Sequence, residues 1–564
     1  MEFTKQARGS VVNLLFVATL GLMLLAAWIA PLAGDRWFRP VEKAGAAFAQ
    51  KKSLTLVTLG LLTITARLAL LPILPVPVPA IHDEFSYLLA ADTFAHGRLT
   101  NPPHPFPVFF DTYHELQHPT YASKYPPGPG AVMALGQVLG HPWIGVLLST
   151  AAMIVSMTWM LQGWFSPSWA LLGGVLVWAD LGLFAPWVDS YYNGSVATVG
   201  AALVFGAYPR ILHFGRARNA FLMGLGAAIL AYSRPVEGFI FCLPVAIALT
   251  IRLISSRFSD PHLSISRLFL PLAAALVPAG LFLAYYNFRV TGNALQFPYV
   301  LYHREYFNNC PVFFWQKPVP PLHYANQQFE NFFNVWNREE FELSWRAWAR
   351  RALALSWKLW RILLGPALTL PLVMLIRVVQ DRRIRLPLWE VFVCSLGLLS
   401  VVWFQPHYAA PLAAAVFVVV VQAIRHLRQA KIHGRPIGIF LSRLIVLLVV
   451  DWVAIQAGHA ARYPVTAWKG QREQVLRTLE SVYGKHLVVV RYTPTHNVHR
   501  EWVYNAADID SSRIVWVREI PGQDITPLLR YYHDRKVWLL EADQSPPTLE
   551  PYPRASATEP RNVP

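Results

Sequence analysis

The sequence predicts a mainly α, polytopic transmembrane helical bundle with outer juxtamembrane helices and a small C-terminal α/β extramembrane domain. Three observations predict it. Hydrophobic residues make up 54% of the 564 residues and charged residues only 14%, against about 25% charged in an ordinary soluble chain. Trp, Tyr and Phe are abundant, at 21, 22 and 32, as expected where rings anchor at bilayer interfaces. The Lys and Arg residues fall in short clusters between apolar runs, in a chain whose mean hydropathy is +0.35.

A span needs about 20 apolar residues. The runs that qualify, or nearly do, are Val11–Ala33, Leu54–Leu74, Pro142–Phe165, Trp169–Trp187, Val196–His213, Ala220–Tyr232, Phe239–Leu253, Leu268–Tyr286, Ala352–Ile376, Leu388–Phe404, Tyr408–Ile424 and Ile437–Ala457. That is about 12 spans by the length rule. The first run lacks a small-residue cleavage site and reads as a retained span. Basic clusters set the direction: Arg36 to Lys52, Arg210 to Arg218, Arg252 to Arg267, Arg377 to Arg385, and Arg425 to Arg435. All fall on one side if the spans alternate, and positive loops are cytoplasmic. The segments Pro75–His141, Asn287–Arg351 and everything after Gly458 are then external, in a bacterial inner or cell membrane.

The same clusters account for the net charge of +17 without nucleic acid, since no zinc-finger spacing or basic strip interleaved with aromatics occurs. The three cysteines, Cys242, Cys310 and Cys394, form no disulfide framework and no thiolate metal site. Three domains are expected: residues 1–458 in the membrane, 459–543 as an outer α/β domain, and 544–564 as a Pro-rich, disordered tail. The outer domain is read from a helical stretch, Trp468–Tyr483, and strands His486–Tyr492, Arg513–Glu519 and Lys536–Glu541, with Ile525–Arg535 helical between the last two. It carries no Gly-rich nucleotide loop.

The informative stretch is the first outer loop. From Glu84 to His96 the apolar residues Phe85, Leu88, Leu89 and Phe94 fall near helical spacing, which predicts an interfacial helix. Asp83 and Glu84 open it. An acid there is a ready N-cap, or a general base near the membrane surface. Further on, Lys124 stands beside the rigid turn Tyr125-Pro126-Pro127-Gly128. It is a cation at a defined point for a phosphate, or a snorkelling lysine. His96, His104, His114, His118 and His141 share the loop without metal-site spacing. Asp189 is a second acid or a turn former with Asn193-Gly194. Arg67 and Asp180 lie inside apolar runs, where charge usually has a purpose, and they are candidates for a structural pair.

The Asp83-Glu84 pair at the start of a juxtamembrane helix, followed by Lys124-Tyr125-Pro126-Pro127-Gly128, resembles the GT-C superfamily of membrane glycosyltransferases. That group takes in protein O-mannosyltransferases, the lipid A aminoarabinose transferase and RgtA-like enzymes. The resemblance covers the membrane region as a whole. Ser233-Arg234-Pro235 at the outer end of the sixth run, and His407-Tyr408-Ala409-Ala410-Pro411 opening the eleventh, are similar to that group's phosphate-side positions. His407 stands where Arg is common.

The resemblance implies a hexosyl- or pentosyltransferase. It would move a sugar from a polyprenyl-phosphate donor to a hydroxyl of a glycan, lipid or protein on the outer, periplasmic face, with inversion. No cofactor is required and a divalent metal is optional in that group. Asp83 is then the base with Glu84 in support, and Lys124, Arg234 and His407 hold the donor phosphate. Tyr125, Asp189 and Tyr408 are candidates for contacting substrate. The alternatives from other classes are a transporter or flippase of lipid-linked sugars and a non-catalytic glycan-assembly subunit.

Overall fold

The computed structural model describes residues 23–255, 265–307, 320–324, 326–337, 344–462 and 467–553. Most of the first apolar run, Cys310, and the end of the tail lie outside them. The other eleven runs all fall on helices. Among the described residues, six helices are long and apolar enough to cross a membrane: Lys52–Ala69, Pro142–Trp164, Gly194–Phe214, Pro235–Ser255, Ser266–Thr291 and Ile437–Arg462. A seventh span results if Trp345–Leu363 and Gly365–Gln380, bent by 98°, count as one. The protein is a multi-pass membrane protein; among the described residues six or seven spans qualify by helix length, and the expected twelve are not confirmed. Apolar sequence continues past helix ends into folded turns: the run Trp169–Trp187 is helical only over Pro167–Leu181, and the remainder turns back into the core with Trp187 fully buried.

The helices assemble by close backbone approach. A Cβ on Gly136 would stand 2.2 Å from the Gly145 nitrogen, so the hairpin of Pro127–Val138 and Pro142–Trp164 closes only because both positions lack a side chain. Leu412–Arg428 is buried on nearly every face at the centre of the largest core cluster.

After the Ile437–Arg462 helix, the C-terminal domain packs helix Ala467–Ser481 and the short helix Thr526–Tyr531 on a four-stranded sheet. Strands His486–Arg491, Ile514–Arg518 and Lys536–Glu541 are mutually parallel, with His486–Arg491 in the middle. Their near-continuous Val, Leu and Ile composition fits a sheet covered on both faces. The fourth strand, Thr548–Pro551, pairs antiparallel with Lys536–Glu541. Disorder expected from Gln544 onward therefore does not hold for this stretch, because its backbone groups complete the sheet edge.

This domain sits on the first loop. Trp468 donates to the Ala80 carbonyl at 3.2 Å, and the Ala507 N–H donates to Asp92 at 2.7 Å. Phe85 and Tyr504 stack at 4.1 Å. The helix His82–Ala95 is consequently buried on most of its surface instead of lying in the bilayer interface. Its apolar residues sit on a helix, but its polar side also meets protein.

Candidate active site

Four segments converge at the start of the His82–Ala95 helix. The first is the helix itself, whose N-cap is Ile81 with no side-chain cap. Asp83 is the second helical residue and does not cap. Glu84 takes the capping work: Oε2 accepts from Ala80 N–H at 2.8 Å, and Oε1 accepts from Tyr191 N–H at 3.0 Å. That is the reach-back geometry of a third-position glutamate, and it also ties this loop to the one after the Pro167–Leu181 helix.

The second segment is the turn after Lys124. Pro126 and Pro127 start the next helix, since Pro fits a first helical turn. Gly128 lets that helix press on Tyr232, where a Cβ would lie 2.8 Å from the carbonyl oxygen. Gly130 does the same against Ala90, at 2.6 Å. These two contacts bring Lys124 and Tyr125 against both the Asp83 helix and the end of the Ala217–Ser233 helix. There Arg234 follows, held at a helix end because Pro235 disfavours helical conformation before it. The last segment is the 3-10 turn Pro406–Ala409, with His407 and Tyr408.

Tyrosines connect the charged groups. The Tyr125 hydroxyl donates to Asp83 Oδ1. The Tyr125 ring stacks on Tyr87 at 4.3 Å, and the Tyr87 hydroxyl accepts from Arg234 at 3.2 Å. The Arg234 guanidinium lies 4.3 Å over the Tyr408 ring. His407 is stacked on Tyr192 at 4.4 Å and edge-on to Tyr408 at 4.9 Å. Both His407 ring nitrogens are buried without a hydrogen-bond partner among the described residues. Such groups are costly to leave unmade, and they suit an oxygen-rich ligand.

Lys124 is 4% exposed and has no carboxylate within ion-pairing distance among the described residues. Its Nζ donates to His114 Nδ1 at 2.8 Å, and it lies 4.6 Å from the Tyr302 ring centre and 5.1 Å from that of Tyr299. Burial lowers its pKa to about 7, with Asp83 opposing and Arg234 adding to the shift. Burial, Lys124 and neighbouring imidazoles hold His114 well below the ordinary histidine value, so it is neutral and able to accept.

Of the sequence-level candidates, Asp83, Lys124, Tyr125, Arg234, Tyr408 and His407 form one connected cluster. Glu84 belongs to it by position, with both oxygens occupied by backbone N–H groups. Asp189 does not join. It pairs with Arg67 at 3.4 Å, and Arg67 also donates to the carbonyls of Leu74 and Pro75 at 2.8 and 3.2 Å. The intramembrane arginine thus closes the exit of its own helix and pairs with Asp189, not Asp180. Asn193, at φ 52°, makes the turn before Gly194 without Asp189. Sequence reasoning passed over Tyr87, Tyr192 and Asp111. Burial raises the Asp111 carboxyl to about 7, although the Tyr306 hydroxyl donates to it at 2.6 Å. No local signal marks these three, because folding alone gives them their neighbours. Among the described residues no group of three or more His, Cys, Asp or Glu is placed to hold a metal.

No family model matches this chain, and no curated protein matches it. Among solved structures it is similar to ArnT from Cupriavidus metallidurans bound to undecaprenyl phosphate, at 11% identity and TM-score 0.47, over 85% of this chain and 92% of that one. It is also similar to the archaeal oligosaccharyltransferase AglB from Archaeoglobus fulgidus in complex with an inhibitory peptide and a dolichol-phosphate. That match has 12% identity and TM-score 0.46, over 86% of this chain and 69% of that one. The chemistry is therefore read from this chain's own residues.

Proposed function

We propose that this protein is a membrane glycosyltransferase that moves a sugar from a polyprenyl-phosphate carrier to an acceptor hydroxyl at the outer face. The observation that carries this reading is the buried cluster itself. One carboxylate, Asp83, and two cations, Lys124 and Arg234, are held by aromatic rings and hydroxyls instead of by ion pairs with one another. Such an arrangement retains charge to offer a ligand. It matches what the reaction needs, which is a base for the acceptor and positive groups for the departing phosphate.

Asp83 accepts the acceptor proton while the acceptor oxygen attacks the anomeric carbon from the side opposite the phosphate. A single displacement inverts the configuration. Lys124 and Arg234 carry the charge that collects on the leaving phosphate, and His407 adds a ring nitrogen as a hydrogen-bond partner. Glu84 keeps Asp83 in register by fastening the helix start at two backbone points. The residues implement this without nucleotide, and a phosphate donor already brings a good leaving group.

A deletion strain tests the proposal. Lipid-phosphate sugar should accumulate and a surface glycan should change, with both restored by the wild-type gene and neither by Asp83→Asn. Full restoration by Asp83→Asn would remove Asp83 as base. An unchanged lipid-linked sugar pool in the deletion strain would sink the donor class.

A further inference from the structure

The helix Asp35–Gln50 precedes the Lys52–Ala69 span, at the opposite end of that span from Asp83. Near its start it is tied to two helix ends. Arg443, at the beginning of Ile437–Arg462, donates to both Glu42 carboxylate oxygens and to Asp35 Oδ1, each at 3.0 Å. Arg428, the last residue of Leu412–Arg428, pairs with Glu42 at 2.9 Å. Further along, Gly45 faces Leu171 in the first turns of Pro167–Leu181. Just past the helix, Gln162 in the last turn of Pro142–Trp164 donates to the Lys52 carbonyl at 3.3 Å. A helix fastened along its length to four helix ends lies across that end of the bundle, in the plane of the membrane surface.

The ion pairs use up both acids of this helix, since Asp35 also pairs with Arg39 at 2.6 Å. What remains outward is apolar on one side and cationic on the next. Trp37 and Val41, one turn apart, are 68% and 69% exposed, and Phe48 continues their stripe at helical spacing. Arg36 and Lys43 are exposed on the adjacent side and make no ion pair among the described residues. The Arg36 guanidinium lies 5.0 Å over the Trp37 ring. An apolar stripe with a Trp, edged by basic residues, suits a helix lying in the headgroup layer.

We propose that the Asp35–Gln50 helix is a docking surface for anionic phospholipid. Trp37 and Val41 enter the boundary between headgroups and acyl chains, and Arg36 and Lys43 pair with lipid phosphates. Charge complementarity selects the lipid. Asp35 and Glu42 are already neutralised by arginines, so no acid of the helix is left to repel a phosphate. The same arginines hold the helix against the bundle, which fixes the depth at which the stripe meets the bilayer. The basic loops assign this end to the cytoplasmic side by the positive-inside rule, and that leaflet carries the anionic lipid.

Native mass spectrometry of the full-length protein in neutral detergent, titrated with phosphatidylglycerol or phosphatidylcholine, tests this. The wild type should bind phosphatidylglycerol more tightly. Arg36→Gln/Lys43→Gln should weaken phosphatidylglycerol binding about tenfold, with phosphatidylcholine binding and melting temperature unchanged. Trp37→Gln/Val41→Gln should weaken both lipids. Arg530→Gln/Lys536→Gln removes two exposed charges from the C-terminal domain and should alter neither. Wild-type phosphatidylglycerol affinity in Arg36→Gln/Lys43→Gln overturns the proposal. An equal loss in Arg530→Gln/Lys536→Gln makes the preference a matter of net charge and overturns it as well. Wild-type binding of both lipids by Trp37→Gln/Val41→Gln leaves the stripe to a different partner, with the same consequence.

Discussion

Two buried acids on either side of the junction between membrane helices and C-terminal domain have opposite surroundings. Glu501, 1% exposed, accepts from Arg518 at 2.5 Å, from the Trp502 and Val503 N–H groups at 2.9 and 2.8 Å, and from the Tyr492 hydroxyl. Burial pushes its carboxyl up, but Arg518 and these hydrogen bonds outweigh burial and hold it below the ordinary glutamate value. Asp83, 7% exposed, accepts from one tyrosine, and the nearby Lys124 donates to a histidine instead. Saturation identifies Glu501 as a structural anchor. In the proposed function Asp83 has capacity left for a substrate, and that difference separates the proposed site from a brace.

The comparison breaks most visibly on the anchor side. Arg518→Met leaves Glu501 buried and unpaired, which should cost about 3–5 kcal/mol. Limited proteolysis should then release the C-terminal domain at temperatures where the wild type is intact. A variant as protease-resistant as wild type would mean that the pair is not an anchor.

On the site side, Asp83→Asn should lower kcat about a thousandfold with the melting temperature unchanged. If it instead unfolds the protein while the folded fraction turns over normally, the contrast with Glu501 is reversed. Next in size is the pH dependence of donor binding. Lys124, with its pKa lowered to about 7, is protonated below that pH and neutral above it, whereas a phosphodiester keeps its charge throughout. Donor KM should therefore rise about tenfold between pH 6 and pH 8. The rise should vanish in Lys124→Met, and a flat wild-type profile would detach Lys124 from the phosphate. The smallest effect belongs to Glu84→Gln. One oxygen remains for a backbone N–H, so stability should fall by about 1 kcal/mol, read as a drop of a few degrees in melting temperature, with kcat within about twofold. A kcat loss rivalling that of Asp83→Asn would return Glu84 to the chemistry.

Legibility in the sequence followed the same division. Asp83 could be singled out as an acid opening a helix after an apolar run and Lys124 by the rigid Tyr125-Pro126-Pro127-Gly128 turn beside it, whereas Arg234 and His407 stood out chiefly by the resemblance. Their neighbours could not. Tyr87 looks like one more interfacial aromatic until Arg234 reaches its hydroxyl. Asp189 and Arg67 each stand out in the sequence, but their pairing depends on how the loop after Leu181 folds back, which no local pattern encodes.

By itself, then, the sequence determined that the chain is a helical membrane protein with a small β-containing domain at its C-terminus, because hydropathy and strand composition are local properties. Only the tertiary structure decided how many helices are long enough to span, which acids are saturated, and that the C-terminal domain roofs the first loop instead of standing apart. Those outcomes depend on backbone approach at Gly128, Gly130 and Gly136 and on pairings such as Arg67 with Asp189. They are long-range contacts, settled when helices pack and not before.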